Sequence, residues 1–314
     1  MHMAAKGLQD YMQTNMHITN YDVSTQELTQ QAIEKMVQAN TRIIIGPLFS
    51  QTTEQVVPLA QDFGTVIMSL SNNPALATDG VYVFGHAPMK QTQRLLGYLL
   101  NENYRNYLVA LPATRTSNNL YKIVEDMIRA GHGRVVTREF YAHKPESVNL
   151  IAEKLNRAVE VINENPQEHN KPVIFLQDEP KNLNLLLAAL KKYNLDKKAI
   201  ICADSRIDEV SSGLEVVFTG SLLIDHKRIR DTFRKHFPGQ NIPHLAAIAY
   251  DVGAITAIAV GQKFERQNFL DILNSGQWFE GVSGAIRLND NIAQRKYDII
   301  MQSISARQTL DKGL

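Results

Sequence analysis

Residues 41–76 restrict the possible folds of this chain more than any other stretch. Thr-Arg-Ile-Ile-Ile-Gly-Pro-Leu-Phe-Ser runs over 41–50, and Thr-Val-Ile-Met-Ser-Leu-Ser-Asn-Asn-Pro-Ala-Leu over 65–76. Each is a β-branched run that ends in small or hydroxyl residues. Between them Val56, Leu59, Ala60 and Phe63 recur at helical spacing. This is a βαβ unit, and a right-handed crossover brings its two strands parallel, ending at one edge of a sheet. Open α/β sheets take ligands beyond the carboxyl ends of their strands. The loops carrying Ser50 and Ser69 to Asn73 are therefore the first candidates for function.

The chain's 314 residues are enough for two domains, each with its own core. A formal charge of +1 with 21% charged residues gives no broad basic field, so nucleic acid is not an expected partner. The single cysteine, Cys202, rules out an intrachain disulfide and sits in Ala-Ile-Ile-Cys-Ala, a buried-strand pattern. The longest apolar run, Leu245 to Val260, is broken by Tyr250 and Asp251 and predicts a core helix rather than a membrane span.

The pattern further along predicts repeated βα alternation. Met1 to Met12 is expected as a helix, Met16 to Tyr21 as a strand and Gln26 to Ala39 as a helix. Val81 to Phe84 is a short strand and Gln91 to Asn101 a helix. A second series starts at Tyr107 to Leu111. It runs through strands at 134–141, 172–177, 199–203 and Val216 to Ile224, with helices at 118–130, 147–163 and 181–193. Helices at 227–237, 244–261 and 266–275 follow, then late strands at Ala285 to Leu288 and Tyr297 to Ile304. Two such blocks predict two parallel-sheet α/β domains.

Several tempting motifs fail. Gly131-His-Gly-Arg-Val-Val follows a helix and precedes a strand, the reverse of a dinucleotide loop, and is better explained as a helix C-cap with Gly131 left-handed. Walker loops and nucleophile elbows are absent from the sequence. The nine histidines show no metal-binding spacing. No metal, nucleotide, haem or other cofactor is expected, and nothing in the sequence suggests an enzyme.

At Ile-Ile-Gly-Pro-Leu-Phe-Ser (44–50), Val-Pro-Leu-Ala (57–60) and Ser-Leu-Ser-Asn-Asn-Pro-Ala-Leu (69–76) the chain resembles the type I periplasmic binding-protein superfamily, leucine/isoleucine/valine-binding branch. Ala249-Tyr250-Asp251 and Gly281-Val-Ser-Gly-Ala-Ile-Arg-Leu are similar to that family's late helix and its Gly-x-x-Gly turn and strand. The Ser-Leu-Ser-Asn form and Arg295-Lys-Tyr-Asp-Ile-Ile resemble the penicillin-binding-protein activator subgroup. The resemblance implies an α/β, two-lobed fold, each lobe a parallel sheet flanked by helices, joined by a multi-strand hinge. Lobe one would be 1–106 plus 227–280 and lobe two 107–226 plus 281–314, closing over a ligand. It also implies that the family's first strand is missing here, so that the native product is longer at its N-terminus and carries an export signal there.

The same resemblance suggests ligand contacts. Ser50 matches a carboxylate-binding serine, Leu70 a backbone-carbonyl position, and Ser71 and Asn72 the loop that holds both charged groups of an amino acid. Asp204 matches the acid that takes the ammonium, and Thr116 and Asp178 would set the side chain accepted. A hydroxyl with free N–H groups at a helix start suits a carboxylate. Structural roles remain open beside these: Ser50 as a helix cap, Asn72-Asn73-Pro74 as a turn, Asp204 as a cap for Ile207 to Val210, and Arg115, Asp178 and Glu179 as solvated loop charge. Aromatic residues that amino-acid binders carry in lobe two are replaced here by Thr114-Arg115-Thr116-Ser117 and Gln177-Asp178-Glu179, which points to a polar ligand or to no small ligand at all.

Two functions are implied. One is an extracytoplasmic solute-binding protein for ABC-type uptake of a small polar, amino-acid-like ligand, with an ABC permease as partner. The other is a non-enzymatic envelope protein that activates peptidoglycan synthases and whose cleft is vestigial. Either implies a periplasmic location, free or anchored to the outer membrane.

Overall fold

The computed structural model describes residues 17–85, 88–165, 170–203, 213–220, 227–240, 242–260, 264–303 and 307–312. The chain divides into two units, 1–87 with 221–296 and 88–220 with 297–314.

The first unit is built on helix α1 (Gln26–Gln38), strand β1 (Ile43–Ile45), helix α2 (Ser50–Phe63), strand β2 (Val66–Ser69), a single 3₁₀ turn (Pro74–Leu76) and strand β3 (Val81–Val83). Strands β1, β2 and β3 are parallel neighbours, as the βαβ pattern predicts. Alternation along β2 sends Val66 and Met68 to one face and Ile67 to the other. The first two pack with Tyr82, Ile248, Val252 and Phe269. Ile67 packs with Ala32, Met36, Val56 and Leu59. Helices therefore cover both faces, as a parallel sheet requires.

The second unit opens with α3 (Pro88–Asn101), β4 (Asn106–Pro112), α4 (Ser117–Ala130), β5 (Arg134–Tyr141), α5 (Pro145–Asn163) and β6 (Val173–Leu176). It continues through α6 (Pro180–Lys191), the short α7 (Leu195–Lys198), β7 (Ile200–Ala203) and β8 (Val216–Gly220). Prolines at the starts of α5 and α6 supply the preset φ that a first helical turn accepts. Strands β5, β4, β6, β7 and β8 run parallel in that spatial order. Leu108, Ile174 and Ile201 face α5 and α6, while Tyr107, Phe175 and Cys202 face α3 and α4. Cys202 is fully buried, as its strand context predicts.

The chain returns to the first unit with α8 (Lys227–His236), α9 (His244–Val260), α10 (Arg266–Leu273), β9 (Phe279–Gly281), β10 (Gly284–Asn289) and β11 (Ile292–Arg295). β11 joins β3, completing the order β1-β2-β3-β11-β10-β9. β12 (Asp298–Gln302) and β13 (Arg307–Asp311) finish the second sheet, with β12 antiparallel to β8.

Asp251, central in α9 and 2% exposed, ties the two late sequence motifs together. It accepts from Val282 N–H at 2.6 Å, Ser283 N–H at 2.7 Å and Ser283 Oγ at 2.5 Å. A Cβ on Gly281 would lie 2.6 Å from its carboxyl carbon, so only glycine fits there. The Ala-Tyr-Asp helix and the Gly-x-x-Gly turn thus act as one structural clasp.

The structure departs from expectation at several points. Residues 17–23 form no strand: Asp22 accepts from Ser24 N–H at 2.9 Å and Thr25 caps α1. That turn and cap end any extended run before it can pair. Met16, the helix expected over Met1 to Met12, and Asp204 with Ile207 to Val210 lie outside the described residues. Unit boundaries fall at 87/88, 220/221 and 296/297 rather than near 106, 226 and 280. Leu95, Leu96 and Leu99 of α3 belong to the second unit's core, and β10–β11 extend the first sheet. Gly131 is not left-handed: its φ is −88° and the left-handed residue is His132, at φ 62°. Gly133 N–H reaches Ile128 O at 2.8 Å and His132 N–H reaches Arg129 O at 3.0 Å, a Schellman closure with histidine in the glycine place. Packing also favours glycine at 131, since a Cβ there would meet Leu100 Cδ1 at 2.5 Å and force that side chain to shift.

Candidate functional site

In the first unit, four of the expected site residues converge where β1 and β2 end. β1 leads into a cis Gly46–Pro47 peptide, with Gly46 at φ 107°, and the chain then enters α2 at Ser50. The first bond of α2 is Thr53 N–H to Phe49 O at 2.9 Å. The N–H groups of Ser50, Gln51 and Thr52 therefore have no acceptor within the helix, and they carry the positive end of its dipole. Ser50 does not cap this helix. Its N-cap is Phe49, and Ser50 Oγ instead bonds Ser71 Oγ at 2.9 Å. Behind that pair Thr53 Oγ1 and Ser69 Oγ lie 2.8 Å apart, both fully buried.

The 69–72 loop is held on both sides. Leu70 N–H donates to Pro47 O at 2.9 Å, Ser71 N–H to Ser69 Oγ at 3.1 Å, and Gly85 N–H to Ser71 O at 3.0 Å. A Cβ on Gly85 would sit 1.9 Å from Ser71 O, so the loop needs glycine beside it. Ser71 is buried, Leu70 half-buried and Asn72 exposed. The turn is the work of Asn73, whose Oδ1 caps Ala75 N–H at 3.1 Å, and the Asn72 side chain has no hydrogen bond among the described residues. Phe49, next to Ser50 and 70% exposed, is an aromatic face that the sequence reading did not single out. Its signal was a large apolar residue in a strand-to-helix loop.

In the second unit, Thr116 and Asp178 lie on the links that follow the neighbouring strands β4 and β6. Thr116 is exposed, and its hydroxyl is 3.2 Å from Thr114 Oγ1. Asp178 is not a solvated loop charge. Its side chain is 3% exposed and accepts from Tyr141 Oη at 2.7 Å, Glu179 N–H at 2.7 Å and Asn182 Nδ2 at 3.3 Å, with His143 Nε2 at 2.8 Å. Burial, and then the bond to Asp178, push the Tyr141 phenol well above its ordinary value, so it stays a donor. Arg115 and Glu179 are exposed. Tyr141 and His143 were missed from sequence, because nothing local links them to a carboxylate more than thirty residues on.

Buried Asp251 belongs to the first unit's scaffold. Desolvation raises its carboxyl above the ordinary value despite donors from Ser283 and Val282. Among the described residues no three His, Cys, Asp or Glu side chains gather as a metal site.

A family model described as periplasmic binding protein matches residues 18–306. The uncharacterized protein RP748 of Rickettsia prowazekii (strain Madrid E) is 36% identical over 295 residues, 94% of this chain and 79% of that protein. An ABC transporter substrate-binding protein from Desulfitobacterium hafniense, solved in complex with Leu, superposes with a TM-score of 0.65 at 16% identity over 98% of this chain and 93% of its own. Haemophilus influenzae LpoA gives a TM-score of 0.66 at 16% identity, covering 98% of this chain and 55% of LpoA.

Proposed function

The chain belongs to the periplasmic binding protein family, and on that premise we propose that it is an extracytoplasmic solute-binding protein taking a small polar, amino-acid-like ligand for ABC-type uptake. The observation that carries this reading is the first unit's Ser50–Ser71 pair at the open start of α2. Two hydroxyls, three uncommitted N–H groups and the exposed Asn72 suit a carboxylate and its neighbouring ammonium. Phe49, exposed beside Ser50, offers apolar contact there. Thr116 and Asp204 are kept in this reading as proposed ligand residues of the second unit, with Asp204 taking an ammonium. No helix among the described residues is long and apolar enough to cross a membrane. In this reading a separate permease carries out transport. No catalytic step is part of the proposal.

The test is a thermal-shift screen of the intact chain against amino acids, short peptides and muropeptides. A ligand at 100 times its dissociation constant stabilises by about 2.7 kcal/mol. The expected outcome is a shift with polar amino acids that Ser50→Ala reduces.

A second reading, an activator of peptidoglycan synthases with a vestigial ligand site, is favoured by one observation. The Ser50 and Ser71 hydroxyls share one hydrogen bond, Ser71 Oγ also accepts from Asn73 N–H, and Asp178 is satisfied within its own unit. These groups are engaged without a ligand. A flat screen together with binding to a purified peptidoglycan synthase would select this reading.

A further inference from the structure

Asp178 was expected to touch a ligand, yet its hydrogen bonds leave it little capacity to do so. Oδ1 takes Glu179 N–H and Asn182 Nδ2, and Oδ2 takes Tyr141 Oη and faces His143 Nε2. Amide, carboxamide and phenol are all donors here, and with Asp178 as an acceptor-only carboxylate the fourth contact is Nε2–H of His143 donating. In that arrangement Nδ1 carries the lone pair of the neutral ring and an N–H on the charged ring. Nδ1 has no partner among the described residues, and the His143 side chain is 40% exposed. The ring also packs edge-to-face on Tyr141, with centroids 6.0 Å apart, which limits its rotation.

His143 lies in the short link between β5 and α5. Beside it are the links after β4 and β6, at the carboxyl ends of three parallel strands, where α/β sheets take ligands. The ring is touched by Asp178 and Tyr141. Charged groups on the surrounding links are Lys144 and Glu146 on its own, Arg115 after β4 and Glu179 after β6.

We propose that His143 is the residue by which the second unit reads its ligand, discriminating carboxylate from carboxamide side groups, and that Asp178 is its positioning residue. This rests on the solute-binding reading above. As imidazolium, Nδ1–H donates to a carboxylate in a charge-assisted bond. As neutral imidazole, Nδ1 accepts from a carboxamide N–H. A cationic side group finds no free acceptor in Asp178, and an aliphatic one leaves Nδ1 unpaired.

The test compares isosteric pairs, glutamate with glutamine and aspartate with asparagine, by calorimetric titration of the intact chain over a pH series from about 5 to 9. In the wild type the acid-to-amide affinity ratio falls on the order of tenfold across that range. His143→Gln and His143→Phe flatten the ratio while melting like the wild type. Asp178→Asn weakens the pH response without removing the ring. An unchanged ratio profile in both His143 variants overturns the proposal. Binding of another polar amino acid, such as serine, but of none of the four probes overturns it and leaves the solute-binding reading standing. Failure of the folded wild type to bind any amino acid overturns both.

Discussion

Replacing Asp251 with alanine should loosen the first unit. Its carboxylate is the acceptor for the Val282 and Ser283 N–H groups in the turn between β9 and β10, and for Ser283 Oγ. Both turn residues are buried, so water reaches the freed donors poorly. A buried donor left without a partner costs about 1–3 kcal/mol, which gives roughly 2–6 kcal/mol for the two amides. Removing a desolvated charge, the cause of the raised Asp251 pKa, offsets part of this. The expected net loss is about 2–4 kcal/mol. Asp251→Asn should fall between the two, because one carboxamide oxygen can accept while its NH₂ meets a donor. Urea denaturation followed by tryptophan emission reads the effect directly. The chain's one tryptophan, Trp278, immediately precedes β9 and lies under Arg287 and Lys296 at 4.7 and 4.5 Å. A change in unfolding free energy below about 0.5 kcal/mol, the range of ordinary surface substitutions, would refute the clasp.

Other expectations follow from the same geometry. The folded pKa of Asp251 is raised, so its proton-linked contribution to stability is fully present below the ordinary carboxylate range and is lost as pH rises through the folded value. A stability–pH series should show this decline in the wild type and not in Asp251→Asn. His132→Gly should stabilise the second unit by roughly 1 kcal/mol by relieving a left-handed side chain. Gly131→Ala should destabilise it by about 1–3 kcal/mol through Leu100, as thermal melts of the pair would show. Gly85→Ala should displace the 70–72 loop, weakening ligand binding more than it lowers the melting temperature. Asp204→Ala should weaken binding of a zwitterionic ligand by about one to two orders of magnitude in a calorimetric titration, the size of one charge-assisted hydrogen bond.

Much of the fold was legible because its strands are apolar, β-branched and buried on both faces. Ile43–Ile45, Val66–Ser69 and Val173–Leu176 announce themselves locally, and the helices between them keep a strong period. Strands β9, β11 and β13 did not. Phe-Glu-Gly, Ile-Ala-Gln-Arg and Arg-Gln-Thr-Leu-Asp have no clear alternation and become strands because a sheet edge is there to pair with. The loop residues Ser50 and Ser71 could be picked out from their motif, but not that their hydroxyls bond one another. Asp178 was harder still. Its environment is set by Tyr141 and His143, which arrive from a strand two places away in the sheet, and a one-dimensional pattern does not encode that approach. The reverse holds at Gly131, where glycine suggested a backbone conformation and the actual reason was a leucine from another helix.

In the proposed function the open start of α2, with Ser50 and Ser71, binds the carboxylate of a small polar ligand. The decisive measurement is calorimetric titration of the intact chain with a panel of free amino acids, repeated on Ser50→Ala and Ser71→Ala. Saturable one-to-one binding of at least one polar amino acid is expected, weakened by roughly ten- to a hundredfold in each variant, as the loss of one hydrogen bond to a charged group requires. Wild-type binding that both alanine variants retain unchanged, or the absence of binding to any amino acid, would contradict it.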